Sequence, residues 1–181
     1  MNIQNQMNKK SYYKASNWNA VEDQVDRSAW ARLNDIVYEP RRVPIHKDRD
    51  EFSHLPKAEQ TMLLHSFGSL ALSSTLQMKV SLSKIKQDVE NSEEAAVYNA
   101  LQYLESINNK AYGHALSEFS TSDEQRDEAF NWANQNPYLQ KKMRLLNTVY
   151  QSENAIQKKA AHVFLSTGLY HSSFFGPLYL F

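Results

Sequence analysis

Residues 103 to 112 read Tyr-Leu-Glu-Ser-Ile-Asn-Asn-Lys-Ala-Tyr, and this stretch decides how the chain folds. Within it, Glu105, Asn108 and Tyr112 are separated by three and four positions. In an α-helix that spacing places all three side chains on one face. The stretch therefore predicts a helix that carries a carboxylate, an amide and a phenol on one buried stripe.

The rest of the chain has the composition of an all-α protein. Four glycines and five prolines among 181 residues are too few for the turns of a β-sandwich or barrel. Residues 1–16 are predicted to form a flexible N-terminus, and residues 17–181 a single helical domain. The predicted helices are 21–34 with Asn19 as N-cap, 55–86, 92–119 after the cap Asn91, 123–132 after the cap Ser122, 138–150, and 153–181.

Charge and cysteine content exclude several classes of function. Lys plus Arg number 20 and Asp plus Glu number 20, so no bulk charge favours nucleic acid or an anionic membrane surface. The absence of cysteine excludes disulfides, thiolate metal sites and cysteine nucleophiles, and it fits a reducing, cytoplasmic location. Residues 1–10 lack the apolar core of a secretory signal.

The last nineteen residues, from Val163 to Phe181, contain no Lys, Arg, Asp or Glu. Such a segment must be buried in protein or lipid. Two glycines, a proline, a histidine and four Ser or Thr residues favour a core helix over a membrane anchor. A helix that ends Leu-Tyr-Leu-Phe leaves apolar surface, which favours contact with another polypeptide.

The spacing of Glu105 and Asn108 is that of a metal-binding pair. Dinuclear carboxylate bundles carry Glu-x-x-His, because positions i and i+3 aim two ligands at one metal. Here the second position holds an amide, which is a neutral and weak ligand. The motif alone leaves open whether the chain kept a metal site or only its outline.

Five separated stretches, in this order, resemble the ribonucleotide reductase small subunit, in particular its manganese or iron class Ib type. The resemblance runs from about Trp18 to the end and corresponds to the N-terminal half of that subunit. It implies an incomplete ferritin-like helical bundle. The matching stretches are residues 17–19, 67–77, 105–112, 132–142 and 158–179.

The resemblance assigns the family's metal-ligand positions to residues of this chain. The family supplies an aspartate where this sequence has Ser74, and a glutamate where it has Ser166. The family's glutamate, histidine and radical tyrosine correspond to Glu105, Asn108 and Tyr112. Because two serines and an asparagine supply no negative charge, we expect no metal here, whereas the family holds dinuclear iron or manganese. We expect a hydrogen-bonded cluster instead, in which Asn108 and a serine contact Glu105, unless Glu105 is protonated or binds a ligand.

Three aromatic residues complete the expected site. Tyr38 matches a family tryptophan on the electron path, which makes it a candidate for that path. Tyr170 and Phe174, at four-residue steps from Ser166, are expected to line the pocket beside Tyr112.

The resemblance implies two alternative functions. In the first, the chain is a small-subunit-like component of class I ribonucleotide reductase, not catalytic alone and metal-poor or metal-free, with Tyr112 as candidate radical site. A second chain carrying the C-terminal half would complete it, the large subunit would be a further partner, and a dimer or hetero-oligomer is expected. In the second, it is a non-catalytic lookalike that binds an intact small subunit and stabilises or inhibits it. A fragment of a longer protein is a third interpretation.

Overall fold

Helices form nearly all regular structure in residues 15–180, which are the residues that the computed structural model describes. No strand occurs among them, which confirms the all-α class. The predicted flexible segment 1–16 lies, except for its last two residues, outside the described part. The helices are α1 (Gln24–Asp35), α2 (Arg49–His54), α3 (Lys57–Leu76), α4 (Leu82–Ile85), α5 (Ser92–Phe119), α6 (Asp123–Gln135), α7 (Pro137–Tyr150), α8 (Ala155–Phe164) and α9 (His171–Leu180).

Most helix starts follow from capping residues. Asn91 accepts a hydrogen bond from the Glu94 amide, and Ser122 caps α6 in the same way, as predicted. The predicted cap Asn19 is wrong. The Asp23 carboxylate instead accepts from two amides of the first turn, and α1 begins at Gln24.

Two predicted long helices are interrupted by π-helical turns. The first turn, Gln77–Ser81, separates α3 from α4, and the second, Leu165–Leu169, separates α8 from α9. Each turn adds backbone that shifts the register of the side chains after it. The stretch from Pro40 to His54 contains two 3₁₀ turns and the short α2.

Helix α3 is the centre of the fold, with α5, α6 and α9 packed around it. One apolar cluster joins Leu63 and Leu64 of α3 to Leu116 of α5. A second joins Tyr150 of α7 to Leu165 and other buried residues. The candidate site lies where α3, α5 and α9 meet.

Helix length and hydropathy bear on the membrane question. No helix in residues 15–180 is both long enough and apolar enough to cross a bilayer.

Candidate functional site

Glu105 of α5 is held by Ser74 of α3 and by Tyr170, which lies between the second π-helical turn and α9. The Ser74 hydroxyl donates to the Glu105 carbonyl oxygen at 2.8 Å and lies 2.9 Å from its carboxylate Oε2. The Tyr170 hydroxyl donates to the same Oε2 at 3.4 Å. Ser74 is fully buried and Tyr170 is 7% exposed, whereas Glu105 itself is half-buried.

Burial dominates the electrostatics of this group. It raises the pKa of the Glu105 carboxyl above its ordinary value, and the hydrogen bonds from Ser74 and Tyr170 offset part of that rise. Burial, followed by the nearby Glu105 charge, also raises the pKa of the Tyr112 and Tyr170 phenols. The cluster therefore favours neutral forms of all three groups.

Asn108 does not join Glu105, although we expected it to. Its side-chain oxygen accepts a hydrogen bond of 3.0 Å from the Tyr38 hydroxyl. Tyr38 is 38% exposed, so this pair lies at the edge of the site. The Tyr38 hydroxyl reaches Asn108 from a segment that helix spacing cannot place.

Tyr112 lies deeper and packs against an aromatic ring. The ring centroids of Tyr112 and Phe174 are 6.3 Å apart, with an interplanar angle of 60°. No hydrogen bond from the Tyr112 hydroxyl is found among residues 15–180. Tyr112, Tyr170 and Phe174 thus lie together, as the sequence placed them, and only Tyr170 contacts the carboxylate directly.

Ser166 belongs to a second polar cluster that sequence reasoning missed. The Gln77 amide nitrogen donates to the Ser166 hydroxyl at 3.3 Å and lies 2.9 Å from His162 Nδ1. The Tyr150 hydroxyl donates to the Gln77 oxygen at 3.3 Å. Gln77 and Ser166 both lie on π-helical turns, so the two irregular segments meet through this amide. The available signal was the four-residue step between His162 and Ser166, combined with Gln77 three residues after Ser74.

The donor set does not fit the dinuclear metal centre that the resemblance implies. The three residues that the resemblance assigned to lost ligands hydrogen-bond to neighbouring side chains: Ser74 to Glu105, Asn108 to Tyr38, and Ser166 to Gln77. Residues 15–180 contain no group of three or more His, Asp or Glu side chains that could hold a metal ion. One carboxylate with neutral neighbours cannot offset the charge of two divalent or trivalent ions.

Comparison with known proteins identifies the relatives of this fold and site. A family model for the ribonucleotide reductase small chain matches residues 15–181. The chain belongs to the ribonucleotide reductase small-chain family. Among curated proteins it is 34% identical over 165 residues to the ribonucleoside-diphosphate reductase subunit beta nrdF1 of Mycobacterium tuberculosis, covering 91% of this chain and 51% of that protein. It is 31% identical over 171 residues to the ribonucleoside-diphosphate reductase 2 subunit beta of Escherichia coli, covering 94% and 53%.

A solved structure of a similar protein has the same fold. The dimanganese(II) NrdF of Streptococcus sanguinis superimposes with a TM-score of 0.89 at 40% sequence identity. The match covers 93% of this chain and 59% of that one. The ferritin-like bundle of the small-chain family is therefore confirmed, and the chain spans about half the length of the curated relatives it matches.

Proposed function

We propose that this chain is a small-subunit-like component of a class I ribonucleotide reductase, acting in deoxyribonucleotide synthesis. It corresponds to the N-terminal half of the family fold, and a second chain carrying the C-terminal half completes it. The assembled subunit then works with the large subunit as a dimer or hetero-oligomer. The observation that carries the proposal is the family match across residues 15–181.

In this proposal the site is metal-poor or metal-free, and Tyr112 is the candidate radical residue. The geometry supports this in two ways. The former ligand positions are occupied by side chains that hydrogen-bond to one another or to neighbours, and Tyr112 lies half-buried beside Phe174. Tyr38, at the exposed edge, is the candidate entry point for electron transfer.

Activity of the assembled complex tests the proposal. The chain is co-expressed with a C-terminal half-subunit and the large subunit, and formation of deoxyribonucleoside diphosphate is measured. We expect activity only when all three are present, and its loss in Tyr112→Phe. Activity that persists in Tyr112→Phe removes Tyr112 from the mechanism, and inactivity of the complete mixture refutes the catalytic role.

A second candidate function is a non-catalytic partner of an intact small subunit. It is favoured by the neutral, internally bonded state of Ser74 and Ser166, because such a pocket supports the fold without chemistry. Mixing the chain with an intact small subunit distinguishes the two functions. A stable complex whose activity rises or falls with the amount of added chain supports the partner role.

A further inference from the structure

Tyr170 is a buried tyrosine whose hydroxyl meets a carboxylate. The residue directly follows the second π-helical turn, and its hydroxyl donates to Glu105 Oε2 at 3.4 Å. Its ring is 7% exposed, so an oxidant at the surface can approach one edge of it while most of the ring is shielded from solvent. The phenol and the carboxylate therefore form a proton donor and a proton acceptor at hydrogen-bond distance.

The acceptor distinguishes Tyr170 from the other tyrosines. In the described part of the chain, no other phenol donates to a carboxylate. The Tyr38 hydroxyl donates to the amide oxygen of Asn108. The Tyr150 hydroxyl donates in the same way to Gln77. An amide oxygen accepts a hydrogen bond but is a far weaker base than a carboxylate. Tyr170 thus has an acceptor that can take its proton as well as its hydrogen bond.

Loss of an electron from Tyr170 is coupled to loss of its proton. Burial, followed by the Glu105 charge, raises the pKa of the Tyr170 phenol, so the hydroxyl is protonated at neutral pH. An oxidised phenol is a strong acid, and a positioned base that receives its proton avoids a positive charge in the interior. The Ser74 hydroxyl, 2.9 Å from the same Oε2, stabilises the ionised carboxylate before the transfer.

We propose that Tyr170 and Glu105 form a redox site in which Tyr170 stores one oxidising equivalent. One electron passes from the Tyr170 ring to a one-electron, outer-sphere oxidant, which is thereby reduced. The O–H bond of Tyr170 breaks and an O–H bond forms on Glu105 Oε2, which leaves a neutral tyrosyl radical and a neutral carboxyl group. The inference goes beyond the proposed function, which assigns the radical to Tyr112, because this site acts in the chain by itself.

Electron paramagnetic resonance of the full chain tests the redox site. The chain is oxidised with photogenerated tris(bipyridine)ruthenium(III) at mildly alkaline pH, where carboxyls are ionised and phenols are not. Radicals on exposed tyrosines decay by reaction with one another, and the tyrosyl radical that persists is measured. No deoxyribonucleotide is formed in this assay, so its result is independent of the proposed function.

Two variants and a matched control assign the persistent radical. Tyr170→Phe removes the hydroxyl, and we expect no persistent radical in it. Glu105→Gln replaces the base with a neutral group of the same shape, and we expect formation about a hundredfold slower, the low end of what a positioned proton acceptor contributes. Tyr150→Phe is the control, because Tyr150 is fully buried but donates to a neutral amide, and we expect unchanged formation.

A solvent isotope effect separates proton transfer from a structural role of Glu105. Formation of the radical in the unmodified chain should be slower in D₂O, because the transferred proton is exchangeable. Circular dichroism establishes that each variant folds, and if Tyr170→Phe does not, the rate in Glu105→Gln and the isotope effect decide. The inference is overturned by the absence of a persistent radical in the unmodified chain, by its retention in Tyr170→Phe, or by an unchanged rate in Glu105→Gln.

Discussion

His162 makes the stability of this fold sensitive to acid. Its ring is 8% exposed, and burial lowers the pKa of His162 from 6.5 to about 4. Nδ1 lies 2.9 Å from the Gln77 amide nitrogen, which is a donor, so the folded protein holds a neutral ring that accepts this hydrogen bond. Protonation of the ring removes that acceptor and places a charge in the interior.

The sign and size of the effect follow from linkage. The unfolded chain binds a proton to His162 below pH 6.5, whereas the folded chain does so only near pH 4. Stability from this residue is therefore fully present above pH 6.5 and is lost as the pH falls toward 4. The slope is about 1.4 kcal/mol per pH unit, and the total is on the order of 3 kcal/mol.

Urea unfolding followed by circular dichroism between pH 7 and pH 4.5 measures this contribution. In His162→Gln the slope of the unfolding free energy against pH should be smaller than in the unmodified chain by the amount above. His171→Gln is the matched control because His171 is an exposed histidine of α9. Equal slopes in the unmodified chain and His162→Gln would refute the reasoning.

Five further substitutions, in three sets, test the site and the packing around it. Ser73→Ala should leave the free energy of unfolding unchanged or raise it by about 1 kcal/mol, because the buried Ser73 hydroxyl has no hydrogen-bond partner. Ser74→Ala should lower it by about 1 to 2 kcal/mol in urea unfolding, because it removes the hydrogen bond to Glu105. Gly68→Ala should lower the melting temperature and cost about 1 to 3 kcal/mol of stability, because its Cβ would lie 2.6 Å from the Ala129 carbonyl oxygen. Gly113→Ala should stabilise the chain by about 0.5 to 1 kcal/mol, because its Cβ would meet nothing within 4 Å. Glu105→Gln should raise the free energy of unfolding at neutral pH, because burial raises the pKa of Glu105 and the charged carboxylate opposes folding as the pH rises. In acid, where the carboxyl is protonated, this gain should vanish. An unchanged or lower stability of Glu105→Gln at neutral pH would contradict the prediction.

Helix starts could be predicted from the sequence where a capping side chain lies within one turn of the start. Asn91 and Ser122 start helices because a side-chain oxygen meets the amides of the next turn, and that geometry is encoded within four residues. The cap prediction at Asn19 was wrong because Asp23, four residues later, accepts hydrogen bonds from two free amides in the first turn of α1.

The π-helical turns could not be predicted from the local sequence. A π turn weakens local hydrogen bonding and persists because tertiary contacts favour the shifted register. Here Gln77 on one turn bonds to Ser166 on the other, 89 positions away. Helix spacing places Glu105 and Tyr112 on one face of α5, but it could not show that Asn108 would pair with Tyr38 from a separate segment.

The hydrogen bonds around Glu105 also help to distinguish the two proposed functions. Oxidation of a buried tyrosine releases a proton, which requires an acceptor within hydrogen-bond reach. Tyr170 has the Glu105 carboxylate at 3.4 Å, whereas no acceptor for Tyr112 is found among residues 15–180. In the catalytic proposal, the second chain supplies that acceptor. The catalytic proposal consequently predicts a tyrosyl radical on Tyr112 in the complex and none on Tyr112 in the isolated chain, whereas the partner proposal predicts none on Tyr112 in either state.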